Sequence, residues 1–215
     1  MNLSEISWFF IGIVLVTGNA IVLVPRSFPR CPRKSLVRVA VVFWIVVFVV
    51  YACVRIVPRS RFLTASADGD MKTVRQRLAG DPSLLNARGL GDYTALHWAA
   101  RNNQVEMVEF FVDRGVDMDA DAMGETPFGI AVGRGHYESV ELMLSKGVDV
   151  NQRSYRHDST AVHIAAVNGH AKIVKLLIEH GADVNLPDLY GNGTPLADAT
   201  SEETRELLRR HGAEE

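Results

Sequence analysis

Two stretches near the start of the chain are apolar around their whole circumference, whereas the remainder alternates apolar and polar positions on a helical period. Residues 7–24 (SWFFIGIVLVTGNAIVLV) carry no charge, and residues 36–57 (LVRVAVVFWIVVFVVYACVRIV) carry only Arg38 and Arg55, one near each end. As helices rising 1.5 Å per residue these runs would be about 27 and 33 Å long, close to a hydrocarbon core of roughly 30 Å. A buried helix of a water-soluble domain would show a polar stripe, and neither run has one. The pattern predicts two transmembrane helices, with Trp8 and Tyr51 near the interfaces and the two arginines reaching out to them.

Between the runs, residues 25–35 (PRSFPRCPRKS) hold three prolines and four basic residues, so they read as a short basic loop closing a membrane hairpin. A cleaved signal peptide is the rival for the first run, but the segment before it has no Lys or Arg and carries Glu5. The basic loop favours a cytoplasmic hairpin turn and an extracytoplasmic C-terminal domain, while Arg55, Arg59 and Arg61 argue the opposite, and the side stays open. Asn19, deep in the first run, suits a hydrogen bond to the partner helix, and self-association through the hairpin is a further expectation.

From residue 58 onward the pattern repeats. Thr94, Thr126, Thr160 and Thr194 stand 32, 34 and 34 residues apart, opening the phrases TALHWAA, TPFGIAV, TAVHIAA and TPLADAT. A second apolar helix pattern and a glycine follow each: Gly115, Gly147, Gly181 and Gly212. Thr and Pro suit a helix start, where a hydroxyl caps and a missing N–H costs little. Small residues Ala99, Ala131 and Ala165 allow close helix approach, and Phe110–Phe111, Leu142–Leu144 and Leu176–Leu177 give the apolar face that stacking buries. One copy cannot bury its own face, so stability must come from neighbouring copies.

The best copy, TAVHIAAVNGHAKIVKLLIEHGADVN from Thr160 to Asn185, resembles the ankyrin-repeat family in its T-P-L-H-x-A-A, G-H, V-x-x-L-L and G-A-D-V-N motifs. That resemblance covers residues 60–215 and implies an all-α solenoid of helix–turn–helix units joined by finger loops. The expected division is a membrane hairpin over 1–57, a cap over 60–88, and repeats over 89–121, 122–153 and 154–188. A shortened polar cap over 189–215 closes the stack.

Composition sharpens this division. The 23 basic and 25 acidic residues nearly cancel, which excludes a basic nucleic-acid binder, and 47% apolar content excludes a disordered chain. Residues 58–215 nevertheless hold 24 of the acidic and 17 of the basic residues, so the repeat domain is acidic. Cys31 and Cys53 are too few for a disulfide scaffold or a four-cysteine zinc site.

All seven histidines lie in the repeat domain. His97 and His163 share the T-x-x-H slot, and His136 and His170 the G-H slot, which suits turn-stabilising hydrogen bonds better than a metal or catalytic centre. The alternating run Asp117-Met118-Asp119-Ala120-Asp121 lacks the glycine and terminal glutamate of a calcium loop. Gly133-Arg134-Gly135 is too short to cradle phosphate and falls at an inter-helix turn. No motif indicates catalysis, a metal or a cofactor, so the expectation is a non-enzymatic protein.

The family resemblance implies partner binding through finger loops and the concave face of the first helices. Carried over residue by residue, those positions are Arg88, Leu90 and Tyr93, with Trp98, Arg101 and Asn102, in the first repeat. The second repeat contributes Met123, Glu125 and Arg134; the third contributes Tyr155, Arg156, His157 and Asn168; Tyr190 opens the last finger. Aromatic and arginine side chains dominate interface energetics, and Tyr155-Arg156-His157 is the foremost patch. The expected function is a membrane-anchored interaction module, on the model of compact bacterial proteins at the inner membrane, with a protein and the lipid bilayer as partners. The alternatives are an inhibitor or immunity-type protein neutralising a toxin or enzyme, and a regulatory subunit of a membrane complex or transporter.

Overall fold

The computed structural model describes residues 14–17, 20–23, 44–47, 57–153, 159–188 and 193–214. The chain divides into two compact units, Met1–Ala52 and Cys53–Glu215.

In the first unit, the expected helix over 7–24 is corrected at the residues described there, 14–17 and 20–23. Strands β1 (Val14–Thr17) and β2 (Ala20–Leu23) pair antiparallel, with Val14 opposite Leu23 and Thr17 opposite Ala20. The reason lies in residue type. A short apolar run has no period that separates helix from strand. Val14, Val16, Thr17, Ile21 and Val22 are β-branched, which favours the extended chain. Within 36–57, residues 44–47 form a helical turn with Trp44, Ile45, Val46 and Val47 exposed. The rest of the expected hairpin, including the basic loop, lies outside the described residues up to Val57. No helix among the described residues is long and apolar enough to cross a membrane.

The described part of the second unit is an all-α stack of five helix pairs. They are α1 (Val57–Asp68) with α2 (Met71–Gly80), α3 (Ala95–Arg101) with α4 (Val105–Val112), and α5 (Pro127–Gly133) with α6 (Tyr137–Ser145). Then come α7 (Ala161–Val167) with α8 (Ala171–Glu179), and α9 (Pro195–Asp198) with α10 (Glu202–Arg210). The first helices α1, α3, α5, α7 and α9 each pack on the next, forming one continuous row. The second helices form a parallel row from α4 to α10.

Local chemistry sets the helix ends. The hydroxyls of Thr94, Thr126 and Thr194 accept from the N–H groups of His97, Gly129 and Ala197, satisfying donors that a helix start leaves open. Asp70 does the same for Thr73 at 3.0 Å, and these hydrogen bonds strengthen its acidity. Past the second helices, Gly147 lies at φ +87°, where a side chain would be strained but space is open.

Burial explains the stacking. Ala99, Ala131 and Ala165 are fully buried, which lets the first helices approach closely, and Leu96, Met107, Phe111, Met143, Ile173, Leu177 and Leu208 fill one continuous core. At its start, Phe62 meets Phe111 edge-on at 6.1 Å, sealing the first pair onto the next. Asparagines link the loops: Asn151 accepts from Asp183 N–H at 2.9 Å and donates to Gly181, and Asn185 does likewise for Glu214 and Gly212.

Candidate functional site

His97, His136 and His170 stitch neighbouring repeats together, and His97 and His163 hold their own turns, the buried Nε2 of His163 finding no hydrogen-bond partner among the described residues. Thr94 N–H donates to His97 Nδ1 at 3.2 Å, which leaves Nε2 to donate to the Glu125 carbonyl in the next repeat, also at 3.2 Å. The ring is therefore the neutral Nε2–H tautomer, and burial lowers its pKa. His163 forms the same bond to Thr160 N–H at 3.3 Å and is likewise pushed down by burial. The second slot works across repeats in the same way. His136 Nε2 lies 3.1 Å from the Arg101 carbonyl, and His170 Nε2 lies 3.2 Å from that of Gly133.

Where the first and third repeats have this T-x-x-H imidazole, the middle repeat has Gly129. Gly133 lies one turn further along α5, on the same face. Side-chain carbon is thus missing at two successive turns, and a groove of about 600 Å³ opens over them. A methyl group at Gly133 would come within 3.3 Å of Ile164 Cγ2, and one at Gly129 within 3.2 Å of Thr126 Oγ1. Ile130 and Ile164 give the groove apolar surface, while Arg101, Glu125, Arg134 and Asn168 form its polar edge.

Four of the residues carried over from the sequence therefore meet in one place. Arg101 ends α3 with its guanidinium 5.9 Å from the Trp98 ring, and exposed Arg134 caps α5. Asn168 also caps α7 by donating to the Ile164 carbonyl at 2.7 Å, and Asn102 donates to that of Trp98 at 3.0 Å. These two asparagines thus serve the helix ends first. Trp98 is half-buried against the core.

The first finger runs beside this groove. Tyr93 donates its hydroxyl to Glu125 at 2.6 Å and stacks obliquely on Trp98 with centroids 5.6 Å apart. Arg88 ties the first finger to the second by donating to the Asp121 carbonyl at 3.0 Å. The finger tips expose Leu90 (93%) and Met123 (65%), the latter at φ +54°, a left-handed backbone that costs a side-chain-bearing residue energy. Tyr155, Arg156, His157 and Tyr190 lie outside the described residues.

The aspartate run forms a local turn in which Asp117 accepts from Asp119 N–H at 3.0 Å. Burial, with Asp117 and Asp149 nearby, weakens the acidity of Asp119. Among the described residues no three His, Cys, Asp or Glu side chains are arranged to hold a metal ion. The reading of variable positions missed Gly129, Ile130, Gly133, His136 and Ile164. Gly129 alone had a visible signal, a glycine where two equivalent positions carry histidine.

Comparison with known proteins agrees with the repeat geometry. A family model for ankyrin repeats in three copies matches residues 62–154, and a single-repeat model matches residues 157–189. Similar proteins include Probable E3 ubiquitin-protein ligase XBOS33 of Oryza sativa subsp. japonica, 30% identical across 49% of this chain and 21% of that protein. Palmitoyltransferase AKR1 of Naumovozyma castellii is 40% identical across 27% of this chain and 8% of its own. NAD-capped RNA hydrolase NUDT12 of Macaca fascicularis is 33% identical across 40% and 19%. The chain spans about a fifth or less of the length of these relatives.

Proposed function

Residues 62–189 belong to the ankyrin-repeat family, and on that premise we propose that the chain is a non-enzymatic protein-binding module. Its partner lies across the first finger and the groove over Gly129 and Gly133. The observation that carries this reading is the meeting of Arg101, Glu125, Arg134 and Asn168 around one apolar-floored groove. The groove's edges are held by the His136 and His170 bridges, so little ordering is lost on binding. Catalysis by the named relatives stays with those proteins.

Crosslinking of the full chain in intact cells, followed by purification, tests the reading. The captured protein should be lost with Arg101→Glu plus Arg134→Glu while the thermal midpoint stays within a few degrees of the parent. Capture that is indifferent to both changes refutes the assigned face.

Attachment to a lipid bilayer belongs to the same proposal, supported by the absence of charge over residues 7–24. The apolar side chains of this segment favour leaving water, by about 25 cal/mol per Å² of surface buried. Flotation with phosphatidylcholine vesicles should carry the full chain to the lipid layer. Recovery of the chain in the aqueous layer removes the membrane from the proposal.

A further inference from the structure

The groove over α5 also indicates the chemistry of what binds it. We propose that it receives an acidic segment of the partner, in which an aliphatic side chain stands beside an aspartate or glutamate. This deepens the protein-binding reading and rests on it.

Residues 58–215 carry 24 acidic against 17 basic residues, so an arginine here has carboxylates in excess to meet. Arg205, Arg209 and Arg210 pair with Glu202 and Glu206, Arg88 donates to the Asp121 carbonyl, and Arg114 donates to that of Phe110. Arg59, Arg61, Arg75 and Arg77 lack such a pairing among the described residues and do not line the groove; the two that do line it are Arg101 and Arg134. Among the described residues neither is salt-bridged, and both edge the same groove. The groove's own carboxylate, Glu125, already accepts from the Tyr93 hydroxyl at 2.6 Å. Two guanidinium forks on adjacent repeats suit a carboxylate, which each can grip with parallel N–H bonds.

Shape supplies the second half. Gly129 and Gly133 remove side-chain carbon from two turns of α5, and Ile130 and Ile164 wall the space with hydrocarbon. A fully charged occupant would leave that hydrocarbon uncovered, and a purely apolar one would bury the arginines' edge without a partner. An aliphatic residue adjoining a carboxylate meets both demands. The arginines' backbones are held in place, because His136 bonds the Arg101 carbonyl and His170 bonds that of Gly133, next to Arg134.

Phage display of random twelve-residue peptides on the immobilised full chain in non-ionic detergent tests this. Selected peptides should share an aliphatic residue within three positions of Asp or Glu. Fluorescence anisotropy with the most enriched peptide should show at least a tenfold loss of affinity for Arg134→Glu, a further loss when Arg101→Glu is added, and a several-fold loss for Gly133→Ala. Raising sodium chloride from 50 to 500 mM should weaken the parent several-fold. Circular dichroism melts establish that each variant is folded, and the exposed Arg134 keeps the test open if Gly133→Ala destabilises α5. Basic consensus peptides, or affinity unchanged by Arg134→Glu, overturn the acidic-segment inference and leave the binding-module reading standing. No enrichment over a blank surface overturns both.

Discussion

Replacing His97 by alanine tests whether the stack is held by its repeated histidines. The ring is fully buried and serves two partners: Thr94 N–H donates to Nδ1, and Nε2–H reaches the Glu125 carbonyl of the next repeat, both at 3.2 Å. Each hydrogen bond contributes about 1 kcal/mol net, and the buried Thr94 N–H left without an acceptor costs about 1–2 kcal/mol more. The vacated ring volume adds a cavity term that the surrounding alanines cannot close. The expected loss is therefore about 4 kcal/mol, a large share of the roughly 5–15 kcal/mol that holds a domain folded. Urea unfolding of the full chain in detergent, followed by circular dichroism at 222 nm, measures it. A loss below about 1 kcal/mol, on the scale of an exposed substitution, would refute the assigned role of the ring. The middle repeat, with Gly129 in this slot, provides the internal contrast, since Gly129→Ala removes no such bond and should fall well short of that loss.

Further outcomes follow from the same structure. Burial holds the His97 and His163 pKa values below the ordinary 6.5, so the unfolded chain binds more protons as pH falls. Stability is then complete above about pH 6.5 and declines below it, and His97→Ala should flatten part of that slope in urea titrations between pH 7.5 and 5. Phe111→Ala removes a fully buried ring that meets both Phe62 and Phe110 and should cost about 4 kcal/mol, seen as a fall of roughly 10 °C in the calorimetric midpoint. Gly147→Ala meets no atom within 4 Å, so its cost of about 1 kcal/mol comes from the +87° φ alone; an unchanged denaturation midpoint contradicts this. Asn151→Ala removes the acceptor for Asp183 N–H, and hydrogen exchange at that amide should accelerate while the α8 interior stays protected.

The repeats were legible because each motif has a local cause. A threonine hydroxyl caps the helix it precedes, as at Thr94 and Thr126, and Gly147 has the positive φ that its place after α6 implies. The apolar pairs are expected to be buried, and Phe110, Phe111, Leu144, Leu176 and Leu177 are, whereas Leu142 is only partly covered and Met143 beside it is fully buried. The histidine slots point to turn elements, and the structure adds that His97, His136 and His170 also reach into the adjoining repeat, a distance of 28 to 37 residues along the chain. The first apolar run was misread where it is described, because hydrophobicity without a period leaves helix and strand degenerate. There, β-branching favours the extended chain that is observed.

By itself, the sequence determined the period of the stack, the ends of its helices and the acidity of the repeat domain, since these depend on neighbours within a few residues or on composition. Only the tertiary structure decided which variable positions act together. Arg101, Glu125, Arg134 and Asn168 lie on three different repeats and meet only because the first helices stack closely on their alanines. The groove itself depends on Gly129 and Gly133 facing Ile164 from the next repeat, a relation between copies that no single copy encodes. Stacking turns two absent side chains into a shaped surface.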